Sequence, residues 1–364
     1  MHDSWNDVSR RRFIATASAT GLSLIAGRAL AQPPKDRPAS TPPTSTPPTG
    51  TPATTAPAPD PAPFFTWENL GEGATAERAL GIKGDGGNAL LVLAPKGGAC
   101  VLVDAKVPHV ATTLRREVEQ RGGKVEMVIN THHHADHIGG NLAFTGDTRV
   151  IAHENAKPRV APYVDRMKQM LKSGPISIER SENPNAKSAQ AEVEALAARV
   201  ETFSAANWSP TRTFSGRIGS ESLGSMPIDL HQVGPGHTDN DVIVHFAQLK
   251  VLHMGDLVFH NLYPFIDRDG GASVRGWIRS LKYARRLCKT GTVVIPGHGD
   301  ITDASGIDAM SDFLEKSLDF VEKQIKQKKT RDEIVKMTPP GAESRGFEHL
   351  REAAMGALYD EIKG

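Results

Sequence analysis

Thr131-His132-His133-His134-Ala135-Asp136-His137 sets four of the chain's 14 histidines and one carboxylate within a single short run. The β-rich segment Lys124–Asn130 precedes it, so the pattern predicts a strand that delivers the run to a loop. On extended backbone, side chains two apart point to one side. His132 and His134 therefore present two imidazoles together, and Asp136-His137, turning into a helix, can face a second direction. Imidazole nitrogen and carboxylate oxygen are zinc-type donors. Composition alone would produce this spacing on the order of 0.001 times in such a chain, so the group reads as metal-ligating. His133, taken singly, reads as a solvent-facing or supporting residue.

The neighbouring sequence places this run in an α/β setting. Ala89–Ala94 and Ala99–Asp104 are β-rich and joined by Pro95-Lys96-Gly97-Gly98, a turn signal. Val110–Arg121 has the spacing of an amphipathic helix, and with the strand at Lys124 it forms a βαβ pattern. Further strands are expected at Ile228–Val233, Val242–Phe246, Val251–Met254 and Thr292–Ile295. Helices are expected at Ser188–Val200, Val274–Leu287 and Ala309–Gln327. Pro158–Ser222 is the least regular stretch; it reads as packing decoration, with a lid or insertion over a site as the alternative.

Three more elements fall at expected strand ends: Gly234-Pro235-Gly236-His237-Thr238, Gly255-Asp256, and Pro296-Gly297-His298-Gly299. Each alone is an ordinary loop pattern. Together with the first run they bring seven donors from four loops, and sites in α/β sheets form at the carboxyl ends of strands.

These motifs, in this order, resemble those of the metallo-β-lactamase fold superfamily, over roughly residues 88–301. The resemblance implies an αββα sandwich with a binuclear site at one edge. It implies that His132, His134 and His237 hold a first ion, that Asp136, His137 and His298 hold a second, and that Asp256 bridges them. A bridging aspartate is similar to that of glyoxalase II-type thioester hydrolases and quorum-signal lactonases, and unlike the Cys or Ser of many class B β-lactamases. The run Met254–Phe259, followed by Pro264-Phe265-Ile266-Asp267 and Gly270-Gly271, resembles a large group of exported hydrolases of this superfamily. Asp104 resembles the family's carboxylate behind a ligand histidine, with a helix or turn cap as the alternative.

The resemblance and the ligand chemistry together lead to the expectation of a hydrolase that uses a metal-bridging hydroxide on a small ester, lactone, thioester or amide. Asp136 is the candidate to orient that nucleophile or carry a proton. Two divalent ions are expected; mixed N/O donors without thiolate favour zinc, and iron or manganese fits the same set. The alternative is an iron-dependent redox enzyme of oxygen or persulfide chemistry on the same fold, and β-lactamase or phosphodiesterase activity ranks below both. His260 and Tyr263, just beyond Asp256, read as packing residues, with substrate contact as the alternative. His153, His231, His245 and His253 read as structural. Cys100 and Cys288 read as separate buried thiols.

The amino terminus has a different character. Ser9-Arg10-Arg11-Arg12-Phe13-Ile14 matches the twin-arginine pattern, an apolar run follows to Gly27, and Ala29-Leu30-Ala31 has an A-x-A cleavage form. Residues 1–31 are expected to be an export signal, giving a periplasmic or secreted protein that meets the twin-arginine machinery in transit. Twelve of the 25 prolines fall in residues 32–63, a Pro/Thr/Ala linker too poor in apolar residues to build a core. Residues 64–364 are expected to form the catalytic domain. The 43 basic and 42 acidic residues give a net charge of +1, which offers no general field for nucleic acid. No apolar run reaches membrane-spanning length, so no stable anchor is expected once the signal is removed.

Overall fold

A computed structural model describes residues 62–71 and 78–364. Residues 1–31, expected to be an export signal, and all but the last two residues of the expected linker lie outside the described residues. The domain begins against helix α1 (Ala111–Gly122). Glu117 of that helix, buried, accepts the backbone N–H groups of Phe64 and Phe65 at 2.6 and 3.4 Å and the Trp67 indole N–H at 3.1 Å. Charge-assisted bonds of this kind are about twice as strong as neutral ones, so Glu117 anchors Phe64, Phe65 and Trp67 on α1.

Among the described residues, twelve strands form two sheets. The first contains β1 (Thr66–Asn69), β2 (Ala79–Lys83), β3 (Ala89–Leu93), β4 (Ala99–Val103), β5 (Lys124–Ile129), β6 (Arg149–His153) and β7 (Arg212–Phe214), in that spatial order. β1 to β4 pair antiparallel, and β4 to β7 pair parallel. The α1 crossover makes the parallel β4–β5 pairing feasible, as expected of a βαβ unit. The second sheet contains β8 (Ile218–Leu223), β9 (Met226–His231), β10 (Ile243–Phe246), β11 (Val251–Phe259) and β12 (Val293–His298), ordered β12-β11-β10-β9-β8. Only β11–β12 is parallel there.

Alternation along the strands makes the layers. Leu90, Val92, Val101, Val103, Met127 and Ile129 of the first sheet share one buried cluster with Ile228, Leu230, Val244, Phe246 and Val251 of the second. Their neighbours Leu91, Cys100, Leu102 and Val128 face the other way and pack on Leu114 and Val118 of α1. On the far side, Leu252, Met254 and Val258 pack against helices α4 (Val274–Leu287), α5 (Ala304–Lys326) and α6 (Arg351–Lys363). A strand that buries both faces reads as a continuous apolar run, which is what β3 and β4 are; β11 is buried throughout but carries His253 and Asp256 within it. The result is an αββα sandwich. Burial of each such Leu, Val or Phe is worth roughly 1.5–3 kcal/mol.

The irregular region resolves into helices α2 (Val164–Glu179) and α3 (Gln190–Ala198) with short turns between them. α2 was not visible as a helix because Gly174 and Pro175 interrupt it. Gly174 is required there by close packing: a Cβ would stand 2.6 Å from that of His109. Among the described residues no helix is long and apolar enough to cross a membrane.

Candidate metal centre

The parallel strands of both sheets end at one edge. β5 ends at Ile129, and Asn130 to His134 continue into the turn of helix Ala135–Ile138, which carries Asp136 and His137. The β9–β10 connection carries His237. β12 ends on His298 itself. Asp256 departs from expectation: it lies inside β11, which runs five residues beyond the predicted end. The pairing of β11 with β12 is irregular on both sides of Gly255, whose φ of +50° few other residues adopt. That bulge turns Asp256 into the centre. Gly297 lies close against Asp256 Oδ1, where any Cβ would collide with the carboxylate.

All seven predicted residues come together in two groups. One donor atom each from His132, His134, His237 and Asp256 lie within 4.8 Å of one another, and so do those from Asp136, His137 and His298. Asp256 joins the groups. Its Oδ2 lies 3.8 Å from His132 Nε2 and 3.5 Å from His237 Nε2. Its Oδ1 lies 3.1 Å from His137 Nε2 and 3.5 Å from His298 Nε2. Asp136 Oδ2 is 3.2 Å from His298 Nε2 and 3.6 Å from His137 Nε2. His132, His137 and His237 are sealed from solvent, whereas Asp136 and His298 are partly open.

The groups behind the histidines decide which nitrogen faces inward. Asp104 accepts the Thr131 backbone N–H and hydroxyl, each at 2.8 Å, and His137 Nδ1 at 2.8 Å. With its one proton committed to Asp104, the Thr131 hydroxyl accepts from His132 Nδ1 at 3.0 Å. The Phe265 carbonyl can only accept, so His237 Nδ1 carries a proton towards it at 2.7 Å. His134 Nε2 donates to Asp267 at 2.7 Å. Four imidazoles thus turn a lone pair inward, which is how outer partners set ligand tautomers. Asp104 serves as the resemblance implied. Asp267 and Thr131 were quoted in the sequence, but nothing local to them marked their roles.

These residues fit a pair of cations. His134 Nδ1 and His237 Nε2 face each other at 3.0 Å with both lone pairs turned inward. Nε2 of His132 and of His137 and Oδ1 of Asp256 are buried without a hydrogen bond, a cost a coordinated ion removes. Burial holds His132 neutral, with its pKa well below the usual value, and lowers His237 to about 4. For His298, burial is outweighed by Asp256 and Asp136, which raise it to about 9. Burial also opposes charge on His137, but Asp256, Asp136 and Asp104 hold it well above the usual range. For Asp256 itself, burial pushes upward, and His298, His137 and His132 more than offset it. Without metal, protons on the second histidine group would balance the carboxylates.

His133 lies beside the centre, with Nδ1 3.0 Å from the Asn240 amide nitrogen, and burial lowers it to about 3. Tyr263 is buried and packs edge-on to Phe313. His260 Nδ1 is held by the Asp300 carbonyl at 2.7 Å. Cys100 and Cys288 are free thiols, the second only partly buried. Phe265 and Phe347, two of the few exposed large apolar side chains, stand against the centre: Phe265 is 5.7 Å from the His134 ring, and Phe347 is 5.7 Å from that of His298.

Two groups of His and Asp donors at the edge of an αββα sandwich form a candidate binuclear metal centre. The sequence profile of the Metallo-beta-lactamase superfamily matches residues 82–298, and the chain belongs to that superfamily. Over 59 residues it is 46% identical to the hydroxyacylglutathione hydrolase of Methylococcus capsulatus, a match that spans 15% of this chain and 22% of that protein. Over 233 residues it is 24% identical to the "Probable metallo-hydrolase YqjP" of Bacillus subtilis, covering 58% of this chain and 67% of that one. Among solved structures, the stereoselective inverting sec-alkylsulfatase Pisa1 from Pseudomonas sp. superposes with a TM-score of 0.55 at 16% identity, over 79% of this chain and 49% of that one. At that identity the likeness concerns the fold alone.

Proposed function

We propose that the chain is an exported binuclear metal-dependent hydrolase acting on a small substrate with an ester, lactone, thioester or amide bond. The observation that carries this reading is Asp256, each of whose oxygens faces a separate donor group. His132, His134, His237 and Asp256 would hold one ion; Asp136, His137, His298 and Asp256 would hold the other. When bound, such ions lower the pKa of coordinated water towards about 7 and polarise the bond to be cut. The donor set of nitrogen and oxygen without thiolate supports zinc.

The chain's own residues do the rest. Asp136, with its side chain 32% exposed, is the most open of the central carboxylates. That exposure supports a role for Asp136 in taking a proton from the attacking water and returning it to the leaving atom. Phe265 and Phe347 line the approach on either side, which supports a substrate with an apolar portion. The short match to a hydroxyacylglutathione hydrolase supports an acyl substrate. The twin-arginine-like run, with the apolar stretch and A-x-A site behind it, supports a periplasmic or secreted location.

Elemental analysis of the folded, exported protein without added metal tests this reading. About two zinc ions per chain, with turnover on a panel of esters, lactones, thioesters and β-lactams, is the expected result. Iron instead of zinc would replace it with redox chemistry, and failure to take up any metal on titration would overturn it.

A further inference from the structure

A second set of ligand-type side chains lies outside this centre. Asp229 and His231 are two apart on β9, and His245 of β10 is the direct partner of Asp229 in the antiparallel register. Residues so related point to one face of the pair. Their neighbours Leu230 and Val244 take the opposite face, inside the sandwich. One nitrogen of each histidine and one oxygen of Asp229 lie within 4.8 Å of one another. Asp229 Oδ2 is 3.9 Å from His245 Nδ1, and the two rings are 6.1 Å apart.

His231 is only 7% exposed. The Tyr283 hydroxyl, from α4, meets its Nδ1 at 3.0 Å. Its Nε2 is buried and has no hydrogen-bond partner. A buried imidazole nitrogen left unpaired is costly, a cost that metal coordination would remove. Tyr283 does for His231 what Thr131 does for His132: it occupies one nitrogen and leaves the other to bind. Asp229, with 45% of its side chain exposed, opens the group to solvent.

We propose that Asp229, His231 and His245 form a further metal site that takes one ion of the zinc, nickel or copper class. Two imidazoles and one carboxylate suit those ions and not calcium or magnesium. Zinc bonds of about 2.0–2.2 Å place donors closer together than the spacing seen here, so binding draws the three side chains inward. The site cross-links β9 to β10 at the root of the connection that carries His237. Metal held there stabilises the folded state, as any ligand of the native form does.

The test is zinc stoichiometry on the full chain by equilibrium dialysis and elemental analysis. The wild type should bind one ion more than His245→Gln and Asp229→Asn. Saturating zinc should raise the Tm of the wild type above that of both variants, with all three melting alike after metal is stripped. Asp229 is half-exposed, so its variant keeps the test usable if His245→Gln folds poorly. Equal stoichiometry in wild type and variants would overturn the proposal. Failure of the binuclear reading would remove two ions from every protein and leave the one-ion difference intact.

Discussion

Asp104→Asn probes how much of the centre's affinity is set from behind. Asp104 is fully buried, and its two oxygens receive three donors: the Thr131 backbone N–H, the Thr131 hydroxyl and His137 Nδ1. Asn keeps one oxygen and turns an NH2 group on at least one of those donors. The backbone is not the obstacle, because φ at this position is +60° and Asn tolerates it as Asp does. One unpaired buried donor costs about 1–3 kcal/mol, which converts to roughly 5- to 140-fold in affinity. That range contains the roughly 10–100-fold loss typical when a partner of a metal-ligating histidine is removed. Both groups should weaken, since Asp104 steers His137 directly and His132 through Thr131. Competition with a chelator measures the affinity for each ion, and a melt of the metal-free proteins shows how much of the penalty falls on the fold. Two ions bound at wild-type affinity with unchanged turnover would refute the reasoning.

Asp256→Ala is expected to lose the second ion and most turnover, read by metal content and initial rates; wild-type values of both would remove Asp256 from its bridging role. Gly297→Ala forces the Asp256 carboxylate aside, so it should lower metal content with secondary structure retained, as seen by elemental analysis alongside far-UV circular dichroism. Lys106 offers a pH signature: burial lowers its ammonium to about 7 while it donates to the Ile82 and Gly87 carbonyls, each at 2.7 Å. Its pKa in the unfolded chain is higher, so from that value down to 7 the unfolded state binds the extra proton. Wild-type stability should therefore rise with pH above 7, by at most about 1.4 kcal/mol per unit, and Lys106→Met should lack this component in denaturant melts at pH 7 and 9.

What was legible in the sequence was whatever is local in character. β3 and β4 were visible because they bury both faces and carry uninterrupted apolar runs; β5 was visible from Val125, Met127, Val128 and Ile129 despite its exposed Lys124 and half-buried Glu126. α4 was found with its bounds intact, because its apolar side chains repeat at helical spacing and Ser273 caps it by accepting the Gly276 N–H. Four of the donors stood out because His and Asp in tight spacing have few other uses, whereas His237, Asp256 and His298, each an ordinary loop pattern alone, were read only together with that run. By contrast β8, with exposed and half-buried residues alternating to its last position, has no apolar run to announce it. The extension of β11 through Asp256 was hidden by Gly255, which reads as a turn and acts as a bulge. Asp267 acts on His134 from 133 residues away, and no local pattern marks a partner at that range.

That distance explains why the centre has the composition it does. The ligand run supplies nitrogens but does not decide which of each pair faces inward. The deciding groups come from the end of β4, the loop after β11 and a backbone carbonyl, all fixed only when the sandwich closes. Folding and metal binding therefore share the same hydrogen bonds. Charge leads to the same number of ions as geometry does. Asp104, Asp136, Asp256 and Asp267 surround imidazoles of which His132 and His237 are held neutral by burial. One dication would leave the rest of that carboxylate charge to protons on His137 and His298, both held above the usual range by Asp256 and Asp136. Two dications would replace those protons, and each would then have an oxygen of Asp256 turned towards it. A variant that loses one ion should consequently hold the other less tightly, even where all of the second ion's direct ligands remain.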